Sequence, residues 1–161
     1  MILHLSAALA KRLGVKLSFA DKPVLQPGRK DAWSADVLKV QGRERMVLVM
    51  HDASQWPILM PIESCVNYEA FVQTLMIFMS GNYMSFHKPF DHDNQEIILT
   101  RRTNRTLIGY MNDAKRCAEL KALMHLQNGE AINWSEITDS LISTPYNSKD
   151  GFFIPRDKFP G

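Results

Sequence analysis

Two apolar runs joined by a short turn constrain the fold of this 161-residue chain more than any other feature. In the first run, Trp33, Ala35 and Val37 recur at every second position, which is the period of a β-strand. A turn at residues 41–44 then leads to the second run, residues 46–50, which is apolar at consecutive positions. Such continuous apolar character is typical of a central strand that is covered on both faces. The two runs therefore predict a β-hairpin inside a sheet, with helices packed over it.

Capping residues and apolar spacing predict the remaining elements. Ser6 stands where a helix N-cap is expected, and Gly14 provides a left-handed stop. Helices are predicted over residues 7–13, from Tyr68 to near Gly81, from near Leu107 to Asn128, and from Asn133 to Ile142; further strands are predicted near residues 1–5, 56–60 and 96–100. We expect the tail from Tyr146 to pack as extended chain through Phe152, Phe153 and Ile154. The whole pattern predicts an α+β fold as one domain over residues 1–161, with a mainly antiparallel sheet of three to five strands and about four helices.

The composition predicts a cytoplasmic protein without a cofactor. Cys65 and Cys117 are too few and too far apart for a disulfide framework or a metal clip. At the N-terminus, basic residues follow the apolar ones, which is the reverse of a signal peptide. The densest apolar stretch, residues 71–79, has about half the ~20 residues needed to cross a bilayer. We therefore expect no membrane partner.

Charge is unevenly distributed along the chain. The formal net charge is +2 and the isoelectric point is about 8.6, below the value of about 9 that is typical of a dedicated nucleic-acid-binding domain. Residues 11–45 hold nine Lys or Arg against four Asp or Glu, and residues 101–121 hold six against two. Such segregation favours an oriented surface for a partner.

An arginine-rich segment is the strongest candidate for a partner-binding or anion-binding site. Arg101, Arg102 and Arg105 stand just before a predicted helix, where their donors can converge on a phosphate or carboxylate. The alternative is a solvated strand end whose arginines pair with Asp113 or other acids. Asn112 and Asp113 are unusual inside a helix, because their side chains compete with the backbone for hydrogen bonds. If they face inward they fasten the helix to the sheet, and if they face outward they join the arginines in one site.

Gly109 lies in the interior of the same predicted helix. A glycine there costs about 1 kcal/mol relative to alanine. The simplest explanation is a close backbone contact at this position.

Two further segments contain residue types that carry chemistry. His87, Asp91, His92 and Asp93 place two imidazoles and two carboxylates in one predicted loop, a set of ligands that suits zinc or another transition metal. The alternative is a loop held in place by its flanking phenylalanines. The segment that starts at His51 contains the residue types of a hydrolytic triad, but neighbours in one turn generally cannot point at each other, so we interpret it as a structural turn.

Five short segments together resemble an uncharacterised bacterial family, domain of unknown function 6933. They are Trp33-Ser34-Ala35, His51-Asp52-Ala53-Ser54, Arg101 to Arg105, Gly109-Tyr110-Met111-Asn112-Asp113, and Thr144-Pro145 followed by Phe152, Phe153 and Pro155. They occur in matching order through nearly the whole chain. The resemblance implies a cytosolic bacterial α+β domain and supplies no mechanism.

The leading functional hypothesis is a non-enzymatic binding or accessory protein that engages a macromolecule, first a protein and second a nucleic acid. An inhibitor from a mobile element or phage would have this size and this lack of catalytic motifs. The alternative is a small metal-assisted hydrolase or nuclease that uses the His/Asp loop with the arginines. A third hypothesis is homo-oligomerisation through the methionines near residues 76–84.

Overall fold

A five-stranded mixed sheet is the centre of the computed structural model, which describes residues 1–17, 32–83, 97–148 and 151–158. The strands are β1 (Ile2–Leu5), β2 (Ala32–Val40), β3 (Arg43–His51), β4 (Pro57–Pro61) and β5 (Ile98–Arg101), and their order across the sheet is β4-β3-β2-β1-β5. A second, two-stranded sheet pairs β6 (Tyr146–Ser148) with β7 (Gly151–Phe153). Within the described residues, the large sheet has two antiparallel and two parallel pairings and the small sheet has one antiparallel pairing, so the predicted α+β class is confirmed and the large sheet is mixed.

The predicted hairpin forms the middle of the large sheet. Gln41 and Gly42 connect β2 to β3, both with positive φ (52° and 75°), as a two-residue hairpin turn requires. The next turn leads into β4, which lies at one edge of the sheet. On the other side of the hairpin, β1 runs parallel both to β2 and to β5.

Helices cover both faces of the sheet. They are α1 (Ala7–Leu13), α2 (Tyr68–Tyr83), α3 (Arg105–Gln127), α4 (Trp134–Ser143) and α5 (Pro155–Lys158), with a 3₁₀ turn at Ile62–Ser64. Ser6 caps α1 by accepting a hydrogen bond from the Leu9 amide, and Gly14 ends it in the left-handed conformation (φ 69°), as the sequence predicts. Asn104 and Asn133 cap α3 and α4 in the same way.

Two hydrophobic cores lie on opposite faces of the sheet. The first packs α1 and α2 against alternate residues of the strands, with Leu3, Val47 and Phe71 fully buried. The second packs α3 and α4 against the other face, centred on Leu48 and Met111. Burial of residues from both faces of β3 explains why its sequence is continuously apolar. Met79 of α2 belongs to the first core and Met84 lies outside the described residues, so the described part of that methionine cluster serves packing.

The tail differs from the extended chain that the sequence predicts. Residues 146–148 and 151–153 pair as the antiparallel strands β6 and β7, and a short helix follows at Pro155–Lys158. Phe152 was expected to pack against the protein, but 80% of it is exposed. Its neighbour Phe153 does pack, edge-on against Tyr110 of α3, because successive side chains of a strand point to opposite faces.

Candidate functional site

The arginine-rich segment lies where β5 ends and α3 begins. Arg101 is the last residue of β5 and Arg105 is the first residue of α3, and both are exposed. Between them, Arg102 turns toward the sheet, where its side chain is only 14% exposed. The structure therefore places the three predicted arginines in two different environments.

Arg102 takes part in a charge network on the sheet. Its Nη2 donates to Asp36 Oδ2 of β2 at 3.0 Å, and Lys115 Nζ of α3 donates to the same oxygen at 2.7 Å. Burial alone would raise the pKa of Asp36, but hydrogen bonds from Lys115 and Ser6 and the positive charges of Arg102 and Lys115 outweigh it, so its pKa lies below the usual value. Arg102 thus joins the start of α3 to a central strand.

Arg105 belongs to an exposed polar face of α3 that surrounds Gly109. On a helix, residues three and four positions apart are surface neighbours, so Gly109 is bordered by Arg105, Thr106, Asn112 and Asp113. All five residues are exposed. We call these five residues the Gly109 face. Asn112 and Asp113 face outward, on the same side of α3 as Arg105 and about two turns further along the helix, which corresponds to the outward alternative of the sequence analysis.

The close contact expected at Gly109 is not found. Apart from the adjacent residues and the nearby backbone of α3 itself, a Cβ built at this position meets no atom of the described chain within 4 Å. The glycine instead leaves a shallow gap in the helix surface, open to solvent. The side of α3 that packs on the sheet is the opposite one, through Met111, Ala114, Ala118 and Ala122.

Helix stability does not explain the residues of the Gly109 face. Gly109, Asn112 and Asp113 together disfavour the helix by roughly 2 kcal/mol relative to three alanines. Asp113 makes a long, exposed contact with Arg116, at 3.9 Å, and exposed ion pairs of this kind contribute little to stability. Positions where residues break a local rule without a structural gain are expected to be functional.

A second polar cluster crosses the sheet near the end of β3. His4 of β1 lies in register between Ser34 of β2 and Thr100 of β5. Its Nδ1 contacts Thr100 Oγ1, and its Nε2 lies 3.3 Å from Asp52 Oδ2. Ser34 Oγ donates to Asp52 Oδ1 at 2.7 Å. The cluster joins three strands and the turn after β3 through side chains.

The carboxyl group of Asp52 is unusually easy to protonate. Burial raises its pKa above the usual value, and this effect exceeds the lowering by the Ser34 hydrogen bond and by the charges of His4 and His51. Both ring nitrogens of His4 already have partners, so the described arrangement is a closed hydrogen-bonded array. No local pattern in the sequence marks His4 as a residue of this cluster, because its partners Asp52 and Thr100 are distant in the chain.

The His51 segment forms the turn that the sequence predicts, with one unexpected contact. His51 Nδ1 lies 2.8 Å from Ser54 Oγ, so these two neighbours do meet. Asp52 points instead to His4 and Ser34. Gln55 follows with a positive φ of 56°, and its side chain donates to the Asp52 carbonyl. His51, Asp52 and Ser54 therefore do not form a triad, and the hydrogen bonds of this segment stabilise the turn.

Comparison with known proteins identifies the family. The family model described as Domain of unknown function (DUF6933) matches residues 2–158. The chain belongs to this family. The resemblance drawn from the five segments is therefore confirmed. No curated protein and no solved structure shows a significant match to this DUF6933 chain.

The predicted metal ligands of the DUF6933 chain, His87, Asp91, His92 and Asp93, lie outside the described residues. Within the described ranges, no group of three or more His, Cys, Asp or Glu side chains is arranged to hold a metal ion. In the same part of the chain, no helix has the length and apolar character needed to cross a membrane.

Proposed function

We propose that this DUF6933 domain is a binding protein that engages a protein partner through the Gly109 face of α3. The observation that carries the proposal is the exposed glycine in the second turn of a long, firmly packed helix, where a Cβ would enter open space. A missing side chain lets another backbone approach the helix closely. The firmly packed helix supplies the rigid element that a recognition site needs.

The side chains around the gap favour a polypeptide as the partner. Arg105 is a donor, Asp113 is an acceptor and Asn112 is both, so the face can satisfy both the N–H and the C=O groups of an approaching chain. The carboxylate of Asp113, at one end of the face, opposes the approach of phosphates, which dominate the binding of nucleic acids. We therefore place a protein first and a nucleic acid second.

An affinity capture from a lysate of the source cells tests the proposal. The bait proteins are the wild type, Gly109→Gln, Arg105→Ala and the control Gln127→Ala, which changes another exposed residue of α3. Glutamine favours a helix more than glycine does, so loss of capture by Gly109→Gln cannot be assigned to unfolding. We expect a protein partner that is retained by wild type and Gln127→Ala and is lost with the other two.

The captured molecule is then purified and titrated against the same variants and Asp113→Asn by calorimetry. A protein partner that donates a hydrogen bond to Asp113 should bind the Asn variant more weakly. A nucleic acid should bind it more tightly, because a negative charge has been removed. A partner that binds wild type and Gly109→Gln equally well contradicts the proposal.

A further inference from the structure

A groove of about 350 Å³ lies beside the edge strand β4 and shares no lining residue with the Gly109 face. Its aromatic walls come from both cores: Trp56 and Phe78 pack against the first, and Trp134 packs against the second. The groove thus follows the seam where the two layers of helices meet the sheet edge. Its volume is at the lower end of the range for binding sites of small molecules and peptide segments.

The backbone of β4 is poorly suited to accept another β-strand. His51 N–H donates to the Trp56 carbonyl, so these two residues form a hydrogen-bonded pair. Along the register of β3 with β4, every second residue pair from this one is of the same kind. The same alternation turns the main-chain groups of Pro57, Leu59 and Pro61 away from β3. Two of these three positions are prolines, which have no N–H. An added strand would therefore find one backbone donor, on Leu59.

The charge of the groove selects a cationic ligand. Asp139 on α4 is exposed and is the only charged side chain among the described residues that line the groove. It lies five residues after Trp134, and both residues lie on the side of α4 that borders the groove. A carboxylate beside aromatic rings favours a lysine or arginine, which can pair with the acid and place its stem or guanidinium on an indole.

We propose that the β4 groove binds a proline-rich segment of a partner protein that carries a lysine or arginine. A polyproline helix needs no ladder hydrogen bonds from the edge strand, and its flat rings pack against aromatic side chains. Trp56, Phe78 and Trp134 supply the aromatic surface and Asp139 receives the cation. This site is separate from the Gly109 face, so an experiment can contradict either proposal without affecting the other.

Titration of the whole protein with three blocked peptides of about ten residues tests this site. The first is proline-rich with one central arginine, the second has glutamine in place of that arginine, and the third is an alternating Thr/Val strand peptide with one arginine. The readout is the indole N–H signals of the tryptophans in a ¹H–¹⁵N spectrum. We expect the first peptide to shift the signals of Trp56 and Trp134, and to bind up to about fivefold more tightly than the second.

Substitutions inside and outside the groove show where the peptides bind. Asp139→Lys should abolish the preference for arginine without loss of folding, because Asp139 is exposed. Trp134→Ala should weaken all binding, whereas Glu69→Gln and Phe152→Ala, an exposed acid and an exposed aromatic residue outside the groove, should leave it unchanged. The proposal is overturned if no peptide moves the two indole signals, if the strand peptide binds better than the proline-rich one, or if Asp139→Lys keeps the preference for arginine.

Discussion

The guanidinium of Arg102 donates to the carboxylate of Asp36 at 3.0 Å, although the two residues are 66 positions apart in the chain. The contact joins the entrance of α3 to a central strand, and both side chains are largely buried. Arg101 and Arg105, on either side of Arg102, are exposed. One arginine of the segment therefore belongs to the fold, while its neighbours lie on the surface.

This difference predicts unequal effects on stability. Arg102→Ala should lower the free energy of unfolding by about 2–4 kcal/mol, because it leaves a buried carboxylate with one of its two cations missing. Arg105→Ala should change the free energy by less than about 0.5 kcal/mol, since its side chain is exposed. Urea unfolding followed by circular dichroism measures both values. Equal losses for the two variants would show that Arg102 is not a structural residue.

The Asp36 network should weaken in acid. The pKa of Asp36 is lowered from 3.8 in the folded protein, so its contribution to stability is fully present above pH 3.8 and is lost as the pH falls through the lower, folded value. The difference in unfolding free energy between wild type and Asp36→Asn should accordingly shrink below pH 3.8. Urea titrations at a series of pH values from 7 downward measure this difference, and a constant difference contradicts the assignment.

Asp52 should show the opposite dependence on pH. Its pKa is raised above 3.8 in the folded protein, so the folded state binds the proton more tightly than the unfolded chain does. Wild type should therefore lose stability relative to Asp52→Asn as the pH rises above 3.8 through the raised value. The same urea titrations test this, and a relative stability of wild type that does not fall as the pH rises contradicts the assignment.

Gly109→Ala should make the protein more stable and its partner binding weaker. The new methyl group enters open space and removes the helix penalty of glycine, a gain of about 0.5–1 kcal/mol. The same group fills the gap in the Gly109 face. Thermal unfolding and titration with the captured partner measure the two effects. A loss of stability would mean that the new methyl group has no space at this position. Unchanged affinity would show that Gly109 is not part of the interface.

Local features were predictable because short-range chemistry determines them. Ser6 and Gly14 determine where α1 begins and ends, through side-chain and backbone preferences that involve only their neighbours. The β2–β3 hairpin follows from alternation and a two-residue turn. The outward position of Asn112 could be stated only as an alternative, because it depends on which side of α3 meets the sheet.

Long-range contacts were not predictable from spacing. The partners of Arg102 and His4 lie 66 and 96 residues away in the chain, and no local pattern connects such positions. The pairing of β1 with both β2 and β5 has the same character, because a four-residue strand carries too little pattern to specify its neighbours. The physical reason is that these contacts depend on the packing of the whole fold and not on the residues near them in the sequence.

The position of β1 between β2 and β5 has a consequence for the time course of biosynthesis. Ile98, one of the two strand partners of Ile2, emerges from the ribosome 96 residues after Ile2 does. At about 5–20 residues per second, β1 waits roughly 5–20 s with one side unpaired. We expect nascent chains stalled before residue 98 to be cleaved readily by protease within β1, and chains stalled well beyond residue 101 to be protected there.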